Sequence, residues 1–356
     1  MTQYNRLKQY LPWVQTPVII NAPMSGFATS ELAVAVTRAG GLGQIGFLND
    51  KHMLGLELEK ARRQLQGFII SSGQQETLPV GVGVIVFGSA WGDWLPLFSK
   101  YKPAVVWLSF GETEEFQQWT EGIRKSSPHT KVWVQLGSVR AALDTARVCR
   151  PDALVLQGSD AGGHGHAHGA SVISLIPEVA DTLQGNGIQD IPLIAAGGIM
   201  DGRGAAAAVV LGAAGVVMGT RFLAAEETRL PSEYREAILV ASDGGQSTVR
   251  SRLFDEIWGP SPWPETYDGR CLRNAYYEDL TMGMPIPEVR TKFYSRLRRG
   301  QEGQLDTPDQ PSVWAGTGVG LVKKMDKAAD IVQEVQIDAR KRLENGLSGL
   351  HTGMEV

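Results

Sequence analysis

Over the first two-thirds of the chain, short runs of Val, Ile and Leu alternate with longer segments in which Ala and Leu recur at helical spacing among charged residues. This alternation marks repeated βα units around a parallel sheet, whose strands are apolar on both faces because helices cover them. The runs predict strands at 18–20, 42–45, 80–86, 104–108, 132–136, 153–156, 192–196 and 215–218. Helical patterns follow at 30–39, 50–66, 91–101, 113–125, 138–149, 172–183 and 202–211, with a short one after Arg221. Eight strand–helix units fit a closed barrel better than an open doubly wound sheet. In such a barrel every strand ends on the same rim, so residues far apart in sequence converge there.

After about Leu230 the alternation stops. Asp243-Gly244-Gly245 and the turn Trp258-Gly259-Pro260-Ser261-Pro262-Trp263-Pro264 are followed by polar helical segments. The expected architecture is α/β, a (β/α)8 TIM barrel over residues 1–230 with a smaller, mostly helical second domain or cap over 231–310. Residues 311–356 return to the barrel through a helix at 327–343.

Composition narrows the function classes. The 356 residues carry a formal net charge of -4, with no large field of one sign, which weighs against a dedicated nucleic-acid partner. Two cysteines, Cys149 and Cys271, without CxxC spacing support neither a disulfide framework nor a structural zinc site. The N-terminus lacks signal-peptide order, no apolar run approaches the ~18 residues of a membrane span, and Gly353-Met354-Glu355-Val356 carries no obvious anchor. A cytoplasmic setting without a membrane partner is therefore expected, while the pattern leaves the oligomeric state open.

The densest candidate chemistry follows the sixth strand, in Gln157-Gly158-Ser159-Asp160-Ala161-Gly162-Gly163-His164-Gly165-His166-Ala167-His168-Gly169, which holds three of the six histidines. Spacing of two would put His164, His166 and His168 on one face of an extended segment, and three imidazoles can bind zinc. The run is too rich in glycine to predict a regular strand, however, and Asp160 is its only carboxylate, so no metal is expected. His166 and His168 read as solvated loop residues. His164, directly after Gly162-Gly163 at the strand end, is the candidate to take a carbon-bound proton or to orient an anion.

Two further rim segments stand out. Asn21-Ala22-Pro23-Met24-Ser25-Gly26 forms a rigid turn after the first strand. Ala195-Ala196-Gly197-Gly198-Ile199-Met200 and Met218-Gly219-Thr220-Arg221 follow the seventh and eighth, where TIM barrels commonly bind phosphate on backbone amides. The glycines Gly40-Gly41-Leu42-Gly43 and Gly81-Val82-Gly83 do not spell a dinucleotide fingerprint.

Together, Asn21-Ala22-Pro23-Met24, Gln157-Gly158-x-Asp160-Ala161-Gly162-Gly163-His164, Ala195-Ala196-Gly197-Gly198-Ile199 and Met218-Gly219-Thr220-Arg221-Phe222 resemble, in order, the nitronate monooxygenases, formerly 2-nitropropane dioxygenases. Gly316-Thr317-Gly318-Val319-Gly320 is similar to that family's late glycine-rich segment. The resemblance implies non-covalent FMN on the rim and a small-molecule substrate oxidised with O2, an alkyl nitronate or a nitroalkane giving a carbonyl compound and nitrite. By motif position, Ala22, Pro23, Met24, Gly83, Gln135, Gln157, Gly162 and Gly163 would line the flavin. Gly197, Gly198, Met218, Gly219 and Thr220 would hold its phosphate, and His164 would be catalytic. Two positions depart from the family: Gly83 stands where its third strand carries a flavin-bonding Asn, and Asp160 where Glu is common. The Ala-Gly-Gly-His motif is shared with flavin-dependent enoyl reductases, so an NAD(P)H-dependent reductase of a quinone or enoyl thioester is the nearest alternative. A flavin-free sugar-phosphate lyase or isomerase is the alternative of another class.

Overall fold

The computed structural model of the chain describes residues 2–72, 77–301 and 312–351. Its strands are β1 (Val18–Asn21), β2 (Gln44–Ile45), β3 (Leu78–Ile85), β4 (Pro103–Ser109), β5 (Lys131–Leu136), β6 (Ala153–Gln157), β7 (Gly163–His166), β8 (Leu193–Ala196), β9 (Gly215–Met218), β10 (Thr248–Ser251) and β11 (Tyr267–Leu272). Eight of them form one parallel sheet in the order β1-β9-β8-β6-β5-β4-β3-β2. A bridge between Ile20 and Leu42 brings the two ends together, with the Leu42 amide donating to the Ile19 carbonyl at 2.9 Å. The expected TIM barrel is present, with β2 shorter than its apolar run.

The two-faced apolar character of the strands has a direct structural cause. Alternate residues point into the barrel, where Val18, Ile20, Val105, Val155, Ile194 and Val217 pack around Trp107 and Trp133. The intervening residues, such as Ile19, Val82, Val106, Leu154 and Val216, face the surrounding helices. Both indoles are almost wholly buried. Each removes roughly 200 Å2 from water, on the order of 5 kcal/mol by area.

The helix Ala328–His351 lies across the helices Gly202–Val210 and Ser30–Arg38. Its buried Gln336 donates to the carbonyls of Gln15, Pro17 and Gly40 at 3.3–3.4 Å, which ties the late segment to the start of the barrel. Between barrel and final helix, the helices Ser232–Val240, Gly244–Ser247, Leu253–Glu256, Ala275–Thr281 and Ile286–Gln301 surround a smaller sheet. Leu253, Ile257, Tyr276, Val289 and Phe293 form a local core between the last three of these helices, while Val249 and Cys271 of the sheet pack on Phe254. The division expected at 310/311 and the C-terminal Gly353-Met354-Glu355-Val356 lie outside the described residues. No described helix is long and apolar enough to cross a membrane.

One expectation is corrected. The glycine–histidine run contains a regular strand, β7, which pairs antiparallel with β11, His164 opposite Gly269 and His166 opposite Tyr267. Its own residues have weak strand propensity, and a partner strand a hundred residues later supplies the hydrogen bonds that propensity alone would not predict. The small sheet β10-β11-β7 thus joins the segment after the barrel to the loop after β6.

Candidate active site

The loop between β6 and β7 is held by close backbone packing. A Cβ on Gly162 would lie 2.5 Å from the Ala315 carbonyl carbon and the Gly316 nitrogen, so this contact requires glycine. Beside it the Thr317 amide donates to the Asp160 carbonyl at 3.0 Å, and the Thr317 hydroxyl bonds the Asp160 carboxylate at 3.1 Å. Arg270 on β11 donates to the Ser159 carbonyl at 3.1 and 3.2 Å. At the end of β5, Gln135 Nε2 donates to Gln157 Oε1 at 3.1 Å, and Gln157 Nε2 donates to the His164 carbonyl at 3.0 Å.

These segments enclose two adjoining chambers at the C-terminal rim. The larger, about 440 Å3, is lined by Ala22, Pro23, Met24, Gly83, Gln135, Gln157, Gly162, Gly163, His164, Gly219 and Thr220, with aromatic walls from Phe110, Trp263 and Trp314. The smaller, about 80 Å3, lies at the ends of β8 and β9 between Gly197, Gly198, Gly219 and Thr220, and shares Gln135, Gln157 and Gly162 with the larger. Gly197 and Gly198 both have positive φ, at 111° and 74°. The Thr220 hydroxyl accepts from the Gly316 amide at 3.0 Å, which fastens the late glycine segment to this chamber.

Among the described residues, His164 is the only ionisable side chain lining the larger chamber. Its Nε2 lies 2.9 and 3.1 Å from the two carboxylate oxygens of Asp255 in the helix Leu253–Glu256, and both side chains are little exposed, 15% and 11%. The ring is stacked on Trp263, with centroids 3.7 Å apart and planes 7° off parallel. Trp314 lies at 4.7 Å and Phe110 at 6.5 Å. Asp255, Trp263, Trp314 and Phe110 were not singled out as site residues by the sequence motifs. The only sequence signal for any of them was the Trp258–Pro264 turn, and there the two tryptophans part ways. Trp263 enters the chamber wall, whereas Trp258 is half exposed and packs on Phe293.

The sequence model of the nitronate monooxygenase family matches residues 56–338. The chain belongs to the nitronate monooxygenase family. It is 39% identical to nitronate monooxygenase npaC of Metarhizium robertsii over 97% of each chain. It is 36% identical to the nitronate monooxygenase of Neurospora crassa, over 95% of this chain and 93% of that one. The solved structure of FabK from Thermotoga maritima superposes with a TM-score of 0.72 at 28% identity, covering 97% of this chain and 98% of that one. Nitronate monooxygenases are flavin-dependent oxidoreductases, which sets aside the flavin-free reading.

Most of the residues expected at the site line the two chambers. Met218 lines neither: its side chain is buried in the barrel–helix core, and its carbonyl accepts from the Ala22 amide at 3.0 Å. A strand-end residue whose side chain points outward cannot also face the rim. A Cβ at Gly83 would lie 2.5 Å from Pro23 Cβ, so the rigid turn after β1 leaves no room for a side chain there. Asp160 is engaged with Thr317 rather than with the chambers. Among the remaining histidines, His166 is half-buried against Tyr267, and His168 is exposed. Among the described residues no group of three His, Cys, Asp or Glu is placed to hold a metal. Cys271 is buried, and burial pushes its thiol well above the ordinary range, so it stays protonated.

Proposed function

We propose that this nitronate monooxygenase family member uses FMN and O2 to oxidise alkyl nitronates, and neutral nitroalkanes after deprotonation, to a carbonyl compound and nitrite. The observation that carries the reading is the placement of His164: a single ionisable group in an aromatic-walled chamber that opens onto a glycine-lined one. A chamber of about 440 Å3 is within the usual range for small-molecule sites and suits a planar ring with a small substrate. The chamber of about 80 Å3 suits one phosphate arm, which favours the mononucleotide over a dinucleotide. On this reading Gly197, Gly198, Gly219 and Thr220 hold the phosphate, and Ala22, Pro23, Met24, Gly83, Gln135, Gln157, Gly162 and Gly163 line the flavin. Buried, unpaired thiols at Cys149 and Cys271 accord with a reducing, cytoplasmic setting.

Bound FMN would supply the redox chemistry with O2. The protein's own contribution is positioning and proton management. Trp263, Trp314 and Phe110 exclude water around the reacting carbon, and the alkyl group of the substrate rests against them. His164 accepts the α-proton of a neutral nitroalkane, whereas a preformed nitronate needs no base.

The test is the visible spectrum of the purified protein, followed by oxygen uptake and nitrite release with a nitronate. Flavin absorbance with nitrite formation is expected. Rapid anaerobic bleaching by NADH or NADPH without any nitrite from nitronates would replace this reading by the reductase one. His164→Asn should retain FMN and lose turnover of neutral nitroalkanes, and unchanged turnover would remove His164 from the mechanism.

A further inference from the structure

We propose that Asp255, supplied from outside the barrel, is a positioning residue that holds His164 in the tautomer protonated on Nε2, and so makes Nδ1 the proton acceptor for neutral nitroalkanes. The inference rests on the function proposed above and assigns to it a residue that no motif marks.

Both Asp255 oxygens lie within hydrogen-bond distance of Nε2, at 2.9 and 3.1 Å, and an ionised carboxylate can only accept. Nε2 must therefore carry a hydrogen, which in the neutral ring leaves the lone pair on Nδ1. Among the described residues no protein group is hydrogen-bonded to Nδ1. Stacking on Trp263 at 3.7 Å and 7° fixes the plane of the ring, and with 15% and 11% exposure the pair meets little competition from water.

The proton step then balances within named groups. The Cα–H proton of a nitroalkane moves to Nδ1, and the C–H electron pair becomes the C=N bond of the nitronate, whose charge rests on the nitro oxygens. The resulting imidazolium stands between the Asp255 carboxylate and the new anion. Among the described residues lining the chamber, no other side chain can take this proton. A preformed nitronate needs no such step, so Asp255 should matter far more for the neutral substrate.

The decisive measurement compares neutral nitroalkane with preformed nitronate in the flavin-loaded wild type, Asp255→Asn and Asp255→Leu. An Asn side chain presents an amide as readily as an oxygen and leaves the tautomer free, while Leu offers neither. We expect kcat on the nitroalkane to fall by about 10²–10⁴-fold, the usual worth of a positioned base in its correct tautomer, with KM little changed. Nitronate turnover should fall less than about tenfold, with FMN content retained. Equal losses on both substrates, or no loss on the nitroalkane, would overturn the proposal. Nitrogen-15 NMR of the wild-type protein labelled in histidine, with the His164 signal assigned through His164→Asn, gives a readout independent of turnover. It should show hydrogen on Nε2, and a ring protonated on Nδ1 alone would refute the role of Asp255 even if nitronates prove to be substrates. If the wild type oxidises neither substrate, the proposed function fails, and the NMR result still decides the tautomer.

Discussion

The two ends of the cavity are built on opposite principles. At the ends of β8 and β9, Gly197, Gly198 and Gly219 contribute backbone and empty space, and neighbouring segments lock together through contacts such as Gly162 against Ala315 and Gly316. At the other end the wall is made of large side chains, Trp263, Trp314 and Phe110 around His164, with Asp255 behind it. The first end lies on residues adjacent to barrel strands. The second is assembled mostly from segments after the barrel, which reach it through β7 and β11. A backbone cradle suits a ligand that never changes, whereas a side-chain wall can be altered one residue at a time. The comparison therefore assigns cofactor retention to the glycine end and substrate handling to the aromatic end.

Three measurements would break or sharpen that division. The largest effect should come from Gly162→Ala. The added Cβ meets the Ala315–Gly316 peptide at 2.5 Å, and that peptide cannot retreat without loosening the Thr317–Asp160 hydrogen bonds. A loss on the order of 3 kcal/mol in stability is expected, read as a lower thermal midpoint together with loss of flavin on purification. If that variant kept full flavin, the glycine end would not depend on backbone packing.

Trp263→Leu should have a moderate and more selective effect. Removing the stacked partner of His164 should lower kcat/KM by up to about tenfold, the value of one aromatic pair. Flavin affinity, titrated by fluorescence, should stay within about threefold of wild type. A large change in flavin affinity instead would show that the two ends are not separable.

The smallest effect concerns β7, the strand that joins the two regions. Burial, reinforced by the charges of His168 and Arg250, lowers the pKa of His166 below its ordinary 6.5. Because the folded value lies below the unfolded one, the unfolded chain binds the proton first. His166 therefore contributes stability above about pH 6.5 that is lost as the pH falls through its folded value. On acidification from pH 7 to 5, the thermal midpoint of the wild type should drop by about 1 °C more than that of His166→Asn, given the group's partial exposure. An equal slope in both proteins would remove His166 from the junction between the regions.

The barrel was legible in the sequence because its signal is local. Apolar runs such as Ala153-Leu154-Val155-Leu156 must be buried on both faces, and each helix after them shows its own periodicity. The strand-end motifs were legible for a similar reason, since glycines at 162, 197 and 198 mark places where close backbone approach or positive φ disfavours a side chain. Met218 shows what a motif leaves open, because a motif records adjacency along the chain and not the direction of a side chain, which here points into the barrel–helix core. The strand β7 was missed because its hydrogen bonds come from β11, and nothing in Gly163-His164-Gly165-His166 itself announces a partner.

By itself, then, the sequence determined the βα alternation, the rim segments that carry glycine and His164, and the family to which the chain belongs. These follow from burial and backbone freedom, which act residue by residue along the chain. The partners of His164 were decided only by the tertiary structure. Asp255 lies 91 residues from the histidine it bonds. Trp263 occupies a Pro-rich turn that could equally have packed at the surface, as its neighbour Trp258 does in part. Such partnerships depend on how a second region docks onto the barrel rim, and that docking is a sum of many weak contacts that no short stretch of the chain encodes.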